Sequence, residues 1–341
     1  MYKDGNRMMA WIAKIEEVKP IENADQIVAY RVGGWWVVDK KNAYNVGDLA
    51  VYVSIDSWIP HELAPFLSKG KEPREFNGVK GERLRTIKLR GQISQGLLLP
   101  WTVGGEGDDL SELLSIQKWE KPMNAQLAGV CKGNFPTQIP KTDQERAQNL
   151  TKEIANAIED SMMFEVTEKL EGSSMTCYLI HGEFGVCSRN MDLKETEGNS
   201  FWATARRDGI EEKMRAIDEH WSYAIQGELI GPGIQGNIYG LKQTEFYVFD
   251  VYNIQTGAYL DPGSRQVLIR KMGLKHVPIL AQRAQLYDTL GIKNVDDVLK
   301  FAEGKSVMGD INTEREGVVF KEVNGGMTFK SISNRYLLGE K

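Results

Sequence analysis

The chain has 341 residues, of which 41% are hydrophobic and 26% charged, and its formal net charge is −5. That length suggests about two domains, and the composition is that of a folded globular protein rather than a disordered one. Net acidity argues against a protein that coats nucleic acid through bulk charge, although phosphate contacts depend on local basic patches. Cys131, Cys177 and Cys187 form no CxxC pair and have no histidine nearby at metal-ligand spacing. Zinc and a disulfide framework are therefore disfavoured, and a reducing cytoplasm is expected. The N-terminal MYKDGNRMMA lacks the apolar core of a signal peptide, and no apolar run approaches a membrane span. A soluble cytoplasmic protein with no membrane partner is the expectation.

In chain order, the first part reads as short strands: Trp11–Val18, Gln26–Val32, Trp35–Val38, Leu49–Ile55, Arg83–Leu89 and Gln95–Leu99. Turn residues such as Gly33-Gly34, Gly47-Asp48, Gly78 and Gly91 separate them, a pattern that suggests a small barrel or sandwich. Trp101 to about Gln126 is acidic and loop-like before it ends in KPMNAQ, and is the candidate linker. Asp143–Asp160 reads as a helix, with Thr142 and Glu145 at capping-box spacing and Leu150, Ile154 and Ile158 on one face.

From Met163 a second strand-rich region begins, with strands expected at Phe164–Lys169, Met175–Ile180, Phe184–Ser188, Tyr223–Ile230 and Phe246–Tyr252. His181-Gly182-Glu183 supplies a hairpin turn. Val295–Ala302 reads as a helix, and Glu316–Val323 with Met327–Ile332 as a final hairpin around Asn324-Gly325-Gly326. A turn on Gly325-Gly326 would put Lys321 opposite Lys330, and one on Asn324-Gly325 would place them diagonally on one face. A three-residue loop would part them. The NGG triplet favours the two-residue turns.

The segment that carries chemistry is EKLEGSSMT, in which a strand ends at Lys169 and Glu171-Gly172 opens a tight loop. A Lys-x-Glu-Gly tetrapeptide is common by itself. Here it is followed in order by Cys187-Ser-Arg189-Asn190, Gly227-Glu228-Leu229, Tyr247-Val-Phe249-Asp250, Glu316-Gly-Val-Val-Phe-Lys321 and Phe329-Lys330-Ser331. From Lys169 to about Tyr336 this resembles the six-part motif series of the covalent nucleotidyltransferases, the ATP-dependent ligases and mRNA capping enzymes. A lysine attacks an α-phosphate only as the neutral amine, and an unperturbed pKa of about 10.4 leaves roughly one copy in two thousand neutral at pH 7. Neighbouring cations and burial are the means of increasing that fraction, and the same cations would neutralise transition-state charge.

The resemblance implies that Lys169 is the nucleophile forming a lysyl-AMP. It places backbone groups of Glu168 and Leu170 at the adenine edge, Arg189 on a phosphate or on the substrate 3′-OH end, and Glu228 on the ribose. Phe249 would stack on adenine, Glu316 would bind the catalytic metal, and Lys321 and Lys330 would contact the AMP phosphate. Two departures stand out: Ser174 occupies the position where DNA ligases and capping enzymes carry arginine, and the usual Lys-x-Lys reads Lys330-Ser331-Ile332. The GxGxxG match Gly231–Gly236 is followed by Asn237-Ile-Tyr-Gly240 and another strand, so it lacks the helix a dinucleotide site requires.

In the first part, IENADQIVAYRV resembles a strand-turn-strand element of tRNA-binding OB domains. Lys69, Lys71, Arg74, Lys80, Arg83, Arg85, Lys88 and Arg90 crowd a stretch with Phe66 and Phe76, a composition suited to tracking a nucleic-acid strand. A barrel placed before the core, with TIKLRGQISQGLLLP and FPTQIPKTDQERAQN, resembles the Deinococcus-type RNA ligases with an N-terminal OB domain. The expectation is thus an α+β chain with an OB-like, nucleic-acid-binding β-barrel over 1–126. A nucleotidyltransferase domain of antiparallel sheets with flanking helices follows over 127–341. The resemblance implies ATP, Mg²⁺ or Mn²⁺, RNA ends in nicked duplexes as substrate, and no obligate protein partner. A GTP-dependent capping guanylyltransferase and a non-catalytic RNA-binding protein are the alternatives.

Overall fold

In a computed structural model of the chain, the described residues are 2–3, 6–100, 103–120, 129–218 and 220–339. Trp101 and the KPMNAQ end of the expected linker lie outside them. The chain divides into two compact units, one of residues 1–122 with 145–154 and one of residues 123–144 with 155–341. Residues 145–154 thus belong with the first unit, which a single cut after residue 126 does not anticipate. Trp35 Nε1 donates to Asn149 Oδ1 at 2.6 Å, Gly34 N–H donates to Gln148 O at 2.8 Å, and Arg146 reaches Asp56.

The helix expected over 143–160 is confined to Thr151–Glu159, after a 3-10 turn at Ala147–Asn149. The residues that would have started it earlier are engaged elsewhere. Thr142 Oγ1 bonds Ser174 Oγ at 2.9 Å, Asp143 accepts from Arg189, and Glu145 Oε1 accepts from Arg146 N–H and Asn149 Nδ2. Side-chain bonds of this kind compete with helical backbone pairing.

In the first unit, Leu97–Pro100, Leu49–Val53 and Ala10–Lys14 form one antiparallel sheet, and Glu17–Ile21, Ala24–Val32 and Trp35–Lys40 form a meander. The Ala10–Lys14 strand is buried on both faces: Trp11 and Ala13 join Tyr30, Trp35 and Tyr52, while Ala10 and Ile12 join Val51, Val53 and Ile59. The expected strands 83–89 and 95–99 are each displaced, giving Val79–Arg83, Ile87–Leu89, Gln92–Ser94 and Leu97–Pro100. Gln95 breaks the run because its backbone bonds leave the hairpin, the N–H going to Trp36 O and the carbonyl to Tyr52 Oη, both at 2.8 Å.

The second unit holds two sheets. The larger runs in the order Cys131–Asn134, Met191–Leu193, Glu183–Cys187, Ser173–Ile180, Tyr223–Ile230, Glu245–Asn253, Ala258–Tyr259. The smaller runs Ile279–Gln285, Met163–Lys169, Gly317–Glu322, Thr328–Ile332. The turn at 180–183 is two residues long, with His181 (φ 49°) and Gly182 (φ 81°) both left-handed, so Glu183 lies in the strand, paired with Ile180. Helices Ser200–Arg207 and Ile210–Ile217 pack on the apolar face of the larger sheet through Phe201, Trp202, Ile210 and Met214. Beneath the smaller sheet, Phe164, Phe320 and Phe329 stack together, and Phe301 of helix Val295–Ala302 closes on Phe320. The opposite faces of the two sheets meet each other. Among the described residues no helix is long and apolar enough to cross a membrane.

A buried ion pair joins a helix to the smaller sheet. Arg265, on helix Pro262–Lys271, is 1% exposed and donates to Glu165, which is fully buried on the Lys169 strand. Gln266 Nε2 donates to the other carboxylate oxygen at 2.5 Å. Removing one partner of such a pair strands the other charge away from water. Arg265→Met is expected to lower stability by about 3–5 kcal/mol in urea unfolding, with partial recovery when Glu165→Leu is added.

Candidate active site

Lys169 ends its strand directly opposite Gly317, and its Nζ lies 2.7 Å from Glu316 Oε1. Gly317 is pressed so closely against the next strand that a Cβ there would stand 2.1 Å from Ser331 O. Gly172, in the loop after Lys169, is held as tightly: a Cβ would meet Leu229 O at 2.4 Å and Glu228 Cγ at 2.9 Å. Gly172 thus seats the Lys169 loop against the Glu228 strand, while Gly317 lets the strand paired with Lys169 close on Ser331. Glu228 sits opposite Ser174 in the larger sheet.

Glu228 feels the charges of Lys169, Glu316, Arg189 and Lys330, so these five side chains share one electrostatic neighbourhood. Burial pushes the Glu228 carboxyl up to about 8. Glu316 adds repulsion, while Lys169, Arg189 and Lys330 pull the other way. Glu171, which the sequence reading passed over, belongs to the same group. Burial and the nearby Glu316 raise its proton affinity against bonds from Gly236 N–H and Tyr336 and the charge of Lys169, and its Oε2 is buried without a hydrogen-bond partner. Its backbone N–H donates to Tyr239 Oη at 2.7 Å. The glycine-rich 231–236 loop therefore shapes the carboxylate site and leads into no helix.

Phe249 reaches the site through a β-bulge. Gln226 pairs with Asp250 and Gly227 with Val248, which leaves Phe249 as the extra residue. Phe246, Val248 and Val251 all enter the apolar core, so Phe249 and Asp250 both turn to the opposite face. There Phe249 packs with Leu170, Ile230, Tyr239 and Val277. A bulge beside a site is a common device for redirecting a side chain.

Lys321 is set apart from the Lys169 group. Its Nζ donates to Phe249 O and pairs with Asp250 Oδ1, both at 2.7 Å. Burial lowers its proton affinity, and Asp250 opposes that shift. The hairpin register pairs Lys321 with Thr328 and Val319 with Lys330, as a turn centred on Asn324-Gly325 requires, so both lysines point to one face. Ser331 turns the other way and is fully buried, its Oγ 3.4 Å from Val298 O.

The Glu168 side chain is buried and accepts from Ser306 Oγ at 2.5 Å and Val307 N–H at 2.9 Å. Its own N–H is committed to Pro278 O and so is not available to a base edge. Burial raises its proton affinity in spite of those bonds. Arg189 Nη2 lies 2.6 and 2.8 Å from the two oxygens of Asp143. Asp143 belongs to the segment 140–144, which is tied down by Thr142 to Ser174 and by Gln226 Nε2 to Pro140 O at 2.9 Å. Beside this segment lies a cleft of about 370 Å³, lined in part by Asp143, Asp250, Tyr259, Arg265, Lys321 and Thr328.

The RNA ligase family model matches residues 162–333, which contain every one of these groups except the 140–144 segment and Tyr336. The chain belongs to the RNA ligase family. An OB-fold domain model matches residues 9–101. Solved structures of a Naegleria gruberi RNA ligase agree over nearly the whole chain. One with PPi is 42% identical with a TM-score of 0.87, covering 97% of this chain and 98% of that one. A variant with AMP and Mn is 41% identical with a TM-score of 0.89, covering 98% and 100%. A variant with ATP and Mn is 42% identical with a TM-score of 0.87, covering 96% and 98%. No curated protein matches. The α+β architecture with an N-terminal OB fold and a ligase domain is thereby established, and the chain is an RNA ligase.

The raised proton affinity of Glu228 has a direct consequence for stability. The folded ligase keeps this proton up to about pH 8, whereas an unfolded chain releases it near the ordinary carboxylate value. Stability therefore falls as pH rises through that window. Glu228→Gln is expected to raise the Tm at pH 7–8 and to flatten its decline between pH 4.5 and 8, measured by thermal unfolding in chelator.

Proposed function

We propose that this ligase uses ATP to attach AMP to Lys169 with release of pyrophosphate, transfers the AMP to a 5′-phosphate, and seals that end to a 3′-hydroxyl with release of AMP. Its substrate in this reading is a nicked duplex whose 3′-OH strand ends in RNA. The observation that carries the proposal is the Lys169–Glu316 pair at 2.7 Å, within a neighbourhood shared with Glu228, Lys330 and Arg189. An ammonium has no lone pair, so attack on the α-phosphate requires Lys169 to give up a proton and its contact with Glu316.

The donor set fits a divalent cation. Glu171, Glu228 and Glu316 are hard oxygen donors, Glu316 repels each of the other two, and one Glu171 oxygen is an orphan. Among the described residues no three acidic, histidine or cysteine groups are close enough to hold a metal together. That spacing suits a cation that keeps several waters, with Glu316, Glu171 and Glu228 anchoring them. Such an ion would neutralise charge on the transferring phosphoryl group. Phe249, in its apolar pocket with Leu170, would stack on adenine. Lys330 would sit on the AMP phosphate and Glu228 on the ribose, and Arg189, released from Asp143, would grip a phosphate or the 3′ end. Lys321 acts in this reading mainly by holding the bulge that presents Phe249.

Incubation with α-labelled ATP and Mg²⁺ or Mn²⁺ is expected to label the protein covalently, chelator is expected to prevent labelling, and Lys169→Ala is expected to abolish it. Label that survives in Lys169→Ala removes Lys169 as the nucleophile, and label from GTP in place of ATP indicates a guanylyltransferase.

A further inference from the structure

Residues 140–144 lie as a strap across the strands that carry the site. Gln226 Nε2 donates to Pro140 O at 2.9 Å, and Lys141 Nζ donates to Asn190 Oδ1 at 3.3 Å. Thr142 Oγ1 bonds Ser174 Oγ at 2.9 Å, and Ser174 is the residue paired with Glu228. Arg189 Nη2 donates to both carboxylate oxygens of Asp143. Four consecutive residues are thus fastened to the larger sheet or to the loop that follows its Glu183–Cys187 strand.

Upstream the chain is held by packing, with Phe135 and Ile139 in an apolar cluster with Tyr178, Cys187 and Ala224. The strap itself is held by polar bonds, which water or a ligand can replace at small net cost. Its charged attachment is open to solvent, since 29% of the Asp143 side chain and 46% of the Arg189 side chain are exposed. A pair this exposed contributes little to stability, and both charges stay within reach of a competitor from solution. A carboxylate and a phosphate offer a guanidinium the same kind of anionic oxygens. Asp143 also lines the 370 Å³ cleft, together with Lys141, Asp250, Lys321 and Thr328, so an anion entering there meets it.

We propose that Asp143 is an internal stand-in for a phosphate: it holds Arg189 before substrate binds and is exchanged for a phosphate ester of the nucleotide or of the nucleic-acid end. Until the exchange Arg189 is committed and the strap is fastened at all four points. After it, the bonds of Pro140, Lys141 and Thr142 remain. Such a latch lowers the apparent affinity for every ligand that needs Arg189, and it discriminates against anions too weak to displace a carboxylate. The proposal rests on the ligase reading for the identity of the phosphate.

The test uses the full-length protein and two probes. One is α-labelled ATP, scored by the concentration that gives half the maximal labelling rate. The other is a nicked duplex with an RNA 3′-OH strand and a pre-adenylylated 5′-phosphate, scored by its Kd. Asp143→Asn is expected to tighten at least one of them about two- to fivefold, as release of a half-exposed ion pair allows. The probe that responds identifies the source of the phosphate. Because the substitution also removes a negative charge, it is repeated with Arg189→Ala, where the gain is expected to vanish. Thr142→Val changes no charge and is expected to move the same probe in the same direction by loosening the strap. Weaker or unchanged binding of both probes by Asp143→Asn overturns the exchange, weaker binding showing that the acid orients Arg189 for its ligand. An equal gain in the Arg189→Ala background also overturns it, in favour of bulk charge. Wild-type affinity in Thr142→Val overturns the strap's part in the latch. A wild-type protein that takes no label from ATP, while Asp143→Asn still tightens the duplex, overturns the ligase reading and not the exchange.

Discussion

The alignment of Lys169 with Gly317 governs the rest of the site, because it is a backbone register and not a side-chain preference. Successive residues of a strand face opposite ways, so a slip of one residue would send Lys169 to the side of the sheet occupied by aromatic rings. What prevents the slip is the stacking of Phe164, Phe320 and Phe329 on that side. Burial of those rings is worth about 1.5–3 kcal/mol apiece. The energetics of the core face thereby fix where the amine stands, which carboxylate it meets and which hairpin lysine shares its field.

The bulge in Glu245–Asn253 solves the corresponding problem in the larger sheet. Without an extra residue, a strand whose core positions are Phe246 and Val248 would carry Asp250 into the core. With it, Val251 takes the core position, and both Phe249 and Asp250 face the smaller sheet. Asp250 then compensates Lys321, and Arg265 compensates Glu165. These charges lie beneath the pocket, where replacing a pair by apolar residues often costs little but breaking one costs much.

Much of this was legible in the sequence because it was local. The strand ending at Lys169, the helix at Val295–Ala302 and the NGG hairpin each depend on residues within a few positions of each other. The expected helix starts too early because Thr142 and Glu145 stand at capping-box spacing, yet Thr142 is held by Ser174, 32 residues away, and Asp143 by Arg189, 46 residues away. Glu171 was overlooked for the same reason: Gly236, Tyr239 and Tyr336, which surround it, come from distant segments. Lys321 was read as a phosphate ligand from its place in the motif, and its engagement with Asp250 depends on a bulge that composition does not announce. A clue was present nonetheless, since strict alternation through Phe246 and Val248 puts an acid in an apolar core.

Charge balance ties the two units' roles to the net acidity of the chain. Glu171, Glu228 and Glu316 share the site with Lys169, Arg189 and Lys330, and burial together with the charge of Glu316 drives Glu171 and Glu228 toward their protonated forms. A nucleotide triphosphate brings more negative charge than Lys169, Arg189 and Lys330 supply, so the proposed metal serves binding as well as chemistry. In the first unit Arg85, Lys88 and Arg90 lie in a segment free of acids from Leu84 to Gly105. Net charge alone would exclude this protein from RNA, whereas the distribution of charge separates a carboxylate-rich reaction centre from a basic surface suited to phosphates.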